Sequence, residues 1–412
     1  MPHVPRNLQP HIELLLRHFP VVVLLGARQV GKTELAKTVR PRWKYVDIEN
    51  PSDLDRLQID PDIYFSENPH SVIFDEAQEY PELFKILRGV IDRDRGEKGR
   101  YILTGSSSPR LLNAISESLA GRAATVEVGT LKANEFFRKP LSKFYELFTG
   151  KPRDFCDLLL ALEPTLAAEQ MRSVWVKGGY PEPVLSRNSE FYRRWMEEYQ
   201  KSYIERDVRK LFPRINTVRY RKLISILAER SGTILNKSEL AQLIEVSQPT
   251  VSQYLNIADG TFVWRTLPSF ANSKSKSLVK MPKGQLRDSG LLHFLMRLSD
   301  SEAILRHSIL GRSFEGFIIE EIIKGLNAAG VVGWNYSYYR TRSRAEIDLI
   351  LEGEFGVIPV EIKFSSKAQS RDIDNMTSFI AEYKAPFGLL INQSSKVERL
   401  TSRIIQVPVG LL

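Results

Sequence analysis

Residues 21–35, "VVVLLGARQVGKTEL", join an apolar β-branched run to G-x-x-x-x-G-K-T and then to a helical pattern. Gly26 and Gly31 let the backbone curl until successive amide N–H groups converge on one point. The helix opening at Lys32 adds its positive amino-terminal end there. Such a cradle selects phosphate. The spacing assigns Lys32 to the β and γ phosphates of ATP and the Thr33 hydroxyl to Mg²⁺, with Ala27, Arg28, Gln29, Val30 and Glu34 completing the loop. A glycine-rich turn carrying a surface lysine is the plainer alternative.

Further strands surround this one. "KYVDIE", "SVIFDE" and "RYILTGS" alternate with helical stretches over 1–135, the α/β pattern of a mainly parallel sheet. "SVIFDEAQ" brings Asp75 to a strand end, where it can hold Mg²⁺, and Glu76 to a position for orienting the attacking water. "YILTGSSS" ends in hydroxyls, making Thr104 and Ser106 candidates to sense the γ-phosphate. Arg122 in "ESLAGR" is a candidate charge stabiliser, in cis or from a neighbouring copy, or else a partner of a helix dipole.

The remainder reads as a helical region over 136–230 interrupted by "GGYPEP", two short helices and a hairpin over 231–299, and an α/β region over 300–412. With 412 residues, two to four domains are expected. The single cysteine, Cys156, excludes an intramolecular disulfide and fits a reducing, cytoplasmic setting. No apolar run is long enough to span a bilayer, so a membrane partner is not expected.

The net charge of +9 suits a polyanion such as DNA, held mainly through its backbone; dispersed lysines on a soluble protein would give the same sum. The segment 201–222 concentrates Lys201, Arg206, Arg209, Lys210, Arg214, Arg219, Arg221 and Lys222 against Glu205 and Asp207, a pattern a solvated helix face would also show. In "NKSELAQLIEVSQPTVSQYLNIAD", Leu240, Leu243 and Ile244 are expected inside on a first helix, and Val251, Leu255 and Ile257 on a second capped by Ser247. This is helix-turn-helix spacing, yet "QPTVSQYLNIAD" has no lysine or arginine. The basic residues Lys274, Lys276, Lys280, Lys283 and Arg287 follow in the hairpin and are the expected DNA contacts there.

Near the carboxyl end, "AEIDLILEGEFGVIPVEIKF" (345–364) predicts a hairpin with Gly353 to Gly356 as its loop. Glu352 then pairs with Val357, Asp348 with Glu361, and Glu346 with Lys363, all four polar side chains on one face and Ile347, Leu349, Val360 and Ile362 on the other. Carboxylates directly opposed, about 5 Å apart at Cβ, call for compensation that a divalent cation would supply. A cross-strand Glu346–Lys363 ion pair on a solvated face is the alternative.

Together, "GARQVGKT", "FDEAQEYP", "LTGSSSPRLL", "ESLAGR", "GGYPEPV" and "YIERDVRKL" resemble the AAA-type ATP-binding proteins of bacteria and archaea related to the STAND ATPases. The resemblance implies a P-loop NTPase core (1–135), a helical lid (136–230), a winged helix (231–299) and a nuclease-like domain (300–412). Self-association is left open beside it. D-(x)n-E-x-K after an acid-bearing helix resembles the PD-(D/E)xK, restriction-endonuclease-like α/β fold, particularly its Holliday-junction-cleaving branch. That resemblance assigns Mg²⁺ or Mn²⁺ to Glu315, Asp348 and Glu361, with Glu320 or Glu321 as fallbacks for Glu315, and a catalytic role to Lys363. It lacks the proline before Asp348. The expected function is ATP-coupled recognition and metal-dependent cleavage of DNA, branched forms included; the rival is a regulatory ATPase whose inactive nuclease-like domain binds DNA or protein.

Overall fold

The structure is a computed structural model describing residues 4–106, 115, 117–150, 154–186, 188–203, 208–270, 281–298, 300–342 and 345–412. Lys274, Lys276 and Lys280, and also Glu205, Arg206 and Asp207, lie outside the described residues. The chain forms two compact units, one of Pro5–Thr130 with Gly260–Phe262, the other of Leu131–Asp259 with Val263–Leu412 and the first four residues.

The amino-terminal unit is built on five parallel strands: β1 (Val21–Gly26), β2 (Lys44–Asp47), β3 (Val72–Asp75), β4 (Tyr101–Ser106) and β5 (Ala123–Glu127), in the order β2-β3-β4-β1-β5. Every residue of β1, β3 and most of β4 is buried, as expected of strands covered on both faces by helices. Because β4 lies between β1 and β3, its carboxyl end separates the loop after β1 from the acids ending β3. Ser106 is registered with Gly26. The order therefore brings three strand ends, distant in sequence, to one place.

The second unit joins three regions expected as separate domains. One apolar core contains Phe144, Tyr145, Phe148 and Trp175 of the helical region, Leu267, and Phe314, Ile318, Val360 and Leu411 of the carboxyl-terminal region. Burying those aromatics against the long helix Leu310–Ala328 makes one body of them. "GGYPEP" is a structural clasp: Gly179 N donates to Asp288 Oδ2 at 2.8 Å, and a Cβ on Gly178 (φ +74°) would sit 2.2 Å from Asp288 Oδ1.

Helices Lys237–Leu243 and Gln248–Gly260 follow one another, with Leu240, Ile244, Val251, Leu255 and Ile257 buried. Thr250 N donates to the Ser247 hydroxyl, capping the second helix. Leu243 is 41% exposed, against expectation, because Leu240 and Ile244 already fill the inward stripe. A small antiparallel sheet accompanies them, with β8 (Lys283–Leu286) between β6 (Thr233–Ile234) and β7 (Trp264–Leu267).

The carboxyl-terminal sheet has six strands in the order β13-β14-β12-β11-β10-β9: β9 (Asn335–Arg340), β10 (Glu346–Gly353), β11 (Gly356–Ile362), β12 (Gly388–Asn392), β13 (Glu398–Arg399) and β14 (Ile404–Pro408). Helix Leu310–Ala328 covers one face and helix Ser370–Tyr383 the other. The hairpin has the expected register, Glu352 opposite Val357, and pairing continues to Gly353 and Gly356 so that only Glu354 and Phe355 form the turn. A bulge between Ile347 and Ile350 against β9 alters the faces: Ile347 packs with Ile350, Met376 and Phe379 on the second helix's side, not with Leu349.

Candidate functional site: a phosphate cradle and a carboxylate cluster

The loop after β1 has the strained backbone a phosphate cradle needs. Gln29 has φ +61° and Gly31 φ +90°, the left-handed region that glycine adopts at no steric cost. A Cβ on Gly26 would lie 2.2 Å from the Val128 carbonyl oxygen, so only glycine fits there. Arg6 braces the loop from outside, donating to Val30 O and Gly129 O at 2.8 Å each. Lys32 is buried, its ammonium folded back onto Gly26 O (3.2 Å) and Ala27 O (2.9 Å). Those carbonyls hold its charge in the cradle, ready for exchange onto phosphate oxygens.

Behind the loop the hydroxyls converge on Asp75. Thr33 Oγ1 lies 2.9 Å and 3.0 Å from its two carboxylate oxygens, Tyr45 OH donates at 2.7 Å, and Thr104 Oγ1 also donates. Burial, then the hydrogen bond to Asp75, pushes the Tyr45 phenol well above its ordinary range, so it stays a donor. This hard-oxygen set of one carboxylate and one threonine hydroxyl beside a phosphate cradle fits Mg²⁺, which takes few protein ligands and keeps the rest for water and phosphate. Glu76 follows at φ +52°, its backbone N donating to Thr104 Oγ1 (3.3 Å) and its carboxylate accepting from Gln78 Nε2 (2.5 Å). The strand ends thus bring residues Gly26–Glu34, Asp75, Glu76, Thr104 and Ser106 together. Tyr45 and Arg6 were not signalled by any motif, and Gln78, though it closes "SVIFDEAQ", was given no role there.

Arg122 is not brought there. It precedes β5, beside the start of β1, at the opposite edge of the sheet from the phosphate loop. Five strand steps, about 16 Å, separate the two edges. Its guanidinium makes a bidentate pair with Asp92 at 2.8 Å, which pulls the Asp92 carboxyl down to about 2. A reach from Arg122 to this chain's own loop is therefore corrected.

The carboxyl-terminal acids also meet, though not as a bare metal site. Regular pairing stops at Leu349 and Val360, one step short of Asp348 and Glu361. Asp348 Oδ2 instead accepts the backbone N–H of Ile362 at 2.9 Å. Glu361 Oε1 takes the Lys363 ammonium at 2.5 Å, and Asp372 Oδ1 lies 3.7 Å from the same ammonium. Lys283 enters from β8, its Nζ 3.1 Å from Glu346 Oε1, 3.5 Å from Glu315 Oε2 and 3.9 Å from Asp348 Oδ1. Burial, then Asp348, pushes the Glu315 carboxyl up to about 7 and Glu361 well above its ordinary value. Both lysines are raised: burial would lower them, and the carboxylates outweigh it. Among the described residues no three acids, histidines or cysteines are grouped to hold a metal ion. As folded, the set Glu315, Asp348 and Glu361 does not fit a divalent cation, because an ammonium already stands among its carboxylates. Glu346 pairs with Lys283 and Arg340 (3.0 Å), not with Lys363.

The fallback acids are committed elsewhere. Glu320 is held by Arg265 and Arg287, and Glu321 by Lys132 (3.1 Å) and Lys324 (2.7 Å) in the core. Lys283, buried, and Arg287, half-buried, were expected at a DNA surface and are both held in ion pairs. That expectation is corrected for these two.

A AAA domain model matches residues 18–137, and two domains of unknown function, DUF8612 and DUF4143, match 168–302 and 310–412. An uncharacterized protein of Mycobacterium tuberculosis is 33% identical over 366 residues, covering 88% of this chain and 74% of its own; one of Mycobacterium bovis matches to the same extent. The chain belongs to their family. An uncharacterized protein of Methanocaldococcus jannaschii shares 24% identity over 83% of this chain and 74% of its own. Among solved structures, the Walker-type ATPase of Pyrococcus abyssi is 18% identical, with a TM-score of 0.44 over 70% of this chain and 94% of its own. In this family member the AAA domain, a P-loop ATPase core, contains the Lys32, Thr33, Asp75 and Glu76 cluster described above. No helix among the described residues is long and apolar enough to cross a membrane.

Proposed function

We propose that this protein is an ATP-driven switch in which hydrolysis at the phosphate cradle controls the hold of the second unit on DNA. The observation that carries the reading is the convergence of Thr33, Tyr45 and Thr104 on Asp75 directly behind the loop that buries Lys32. Mg²⁺ held at Thr33 and Asp75 would neutralise the phosphates. Lys32 releases Gly26 O and Ala27 O to bind them, and Glu76 releases Gln78 to orient the attacking water and accept its proton. Ser106, level with Gly26, reads the γ-phosphate.

The two helices 237–260 with the β6-β8-β7 sheet are read as a winged helix, and the carboxyl-terminal sheet as a nuclease-like fold used for binding. The occupied carboxylate cluster supports binding without cleavage. The exposed cations Arg209, Lys210, Arg214, Arg219, Arg221 and Lys222 supply a polyanion surface. Cleavage is the second reading, favoured by one observation: Glu361 Oε2 is buried without a hydrogen-bond partner, two residues before Lys363.

Two variants test the switch. Lys32→Ala should weaken ATP binding and turnover together, whereas Glu76→Gln should bind ATP normally and lose about 10²-fold or more in hydrolysis. Near wild-type hydrolysis by Glu76→Gln refutes its role. Metal-dependent cutting of linear or four-way DNA, abolished by Asp348→Asn, would establish the second reading.

A further inference from the structure

We infer that the ammonium of Lys283 is the resident cation of the carboxyl-terminal carboxylate cluster, holding the place that a divalent ion would take and excluding it while β8 is seated.

Lysine is almost never fully buried unless paired, and Lys283 is 4% exposed. Its three donors face three carboxylates from two elements: Glu315 on helix Leu310–Ala328, and Glu346 and Asp348 on β10. The placement is built, because Lys283 opens the central strand of its sheet and is registered with Ile234 on one side and Leu267 on the other. Those ladders fix the backbone from which the ammonium reaches the carboxylates. The second half of the cluster has its own cation in Lys363, and Asp348 spends its other oxygen on Ile362 N–H.

A divalent ion needs carboxylate oxygens at about 2.0–2.6 Å. Drawing Glu315, Glu346 or Asp348 in that close would set a doubly charged ion against a buried ammonium a few ångströms away, a repulsion magnified by low dielectric. Ammonium and metal are therefore mutually exclusive occupants. The cluster also ties β8 to the carboxyl-terminal sheet through charge, so the same contact that keeps metal out joins the two parts of this unit. The inference is independent of ATP hydrolysis and survives or fails apart from it.

Mn²⁺ titration followed by paramagnetic resonance tests it on the full chain, using wild type, Asp348→Asn, Lys283→Met and Lys283→Gln. Wild type should take up no Mn²⁺ that Asp348→Asn removes. Either Lys283 variant should gain a bound Mn²⁺ absent from wild type, lost again when Asp348→Asn is added, and its melting temperature should fall without Mn²⁺ and recover with it. Lys283→Gln retains a polar, uncharged side chain one atom shorter and serves if Lys283→Met does not fold. Mn²⁺ uptake by wild type that depends on Asp348 overturns the inference. So does a folded Lys283 variant that gains no site. Should neither variant fold even with Mn²⁺ present, that failure of metal to replace the ammonium also counts against it.

Discussion

Replacing Thr104 by valine removes one hydroxyl from the centre of the nucleotide site at nearly constant shape. Thr104 is fully buried, donates to the Asp75 carboxylate and accepts the Glu76 backbone N–H at 3.3 Å. A hydrogen bond to a charged group contributes about 1.5–3 kcal/mol, and stranding the Glu76 N–H adds about 1 kcal/mol. Thr33 and Tyr45 still serve Asp75, so the loss should be about 2–4 kcal/mol. In a unit of this size that lowers its melting temperature by about 8–15 °C in calorimetry. Because the same hydroxyl positions both Asp75 and the backbone of Glu76, ATP turnover should drop by roughly 10–100-fold. Thr104→Ser keeps the hydroxyl and should stay close to wild type in turnover. A Thr104→Val protein whose melting shifts by less than about 2 °C and whose turnover is unchanged would refute the claim that this hydroxyl organises the acids.

Acid should unfold the second unit partly through His293. Burial holds its pKa near 4, with Nδ1 on Val176 O and Nε2 2.6 Å from Ser313 Oγ. Its folded value lies below its unfolded 6.5, so the unfolded state binds more protons between pH 6.5 and 4. The neutral form's stability is complete at pH 7 and falls by about 1.4 kcal/mol per unit of pH below 6.5. Glu315, raised to about 7, works in the opposite direction, so the test is the difference in pH dependence between wild type and His293→Asn; identical slopes in chemical denaturation would discard it. Reversing Arg214, Arg219 and Lys222 to glutamate should weaken DNA binding across sequences and reduce the salt slope by about 0.9 per lost phosphate contact. An unchanged slope in fluorescence anisotropy would move the polyanion surface off this face.

Local features were the readable ones. The phosphate loop is contiguous, so its glycines, lysine and threonine announce it in the order in which they act. Asp75 and Glu76 were legible because an apolar strand must end somewhere, and acids at such an end face the same edge as the loop. The β10–β11 register followed from alternation and two glycines. Arg122 was misleading: its neighbours in sequence run to the phosphate edge, but a strand start lies at the other edge, where Asp92 meets it. The bulge in β10 was likewise invisible, since one extra residue against β9 leaves no mark on alternation.

By itself the sequence determined that a parallel sheet would present a phosphate cradle backed by two acids, because those elements are set by neighbours a few residues apart. It also determined that a hairpin would carry Asp348, Glu361 and Lys363. Only tertiary structure decided what those acids hold. Lys283 is 32 residues from Glu315 and 63 from Glu346, and in the sequence it reads as one more basic residue in a surface hairpin. Placed at the head of a central strand and sealed from water, the same ammonium becomes the counterion of three carboxylates. Charge pairing at that range depends on which surfaces pack together, and no spacing rule along the chain encodes it.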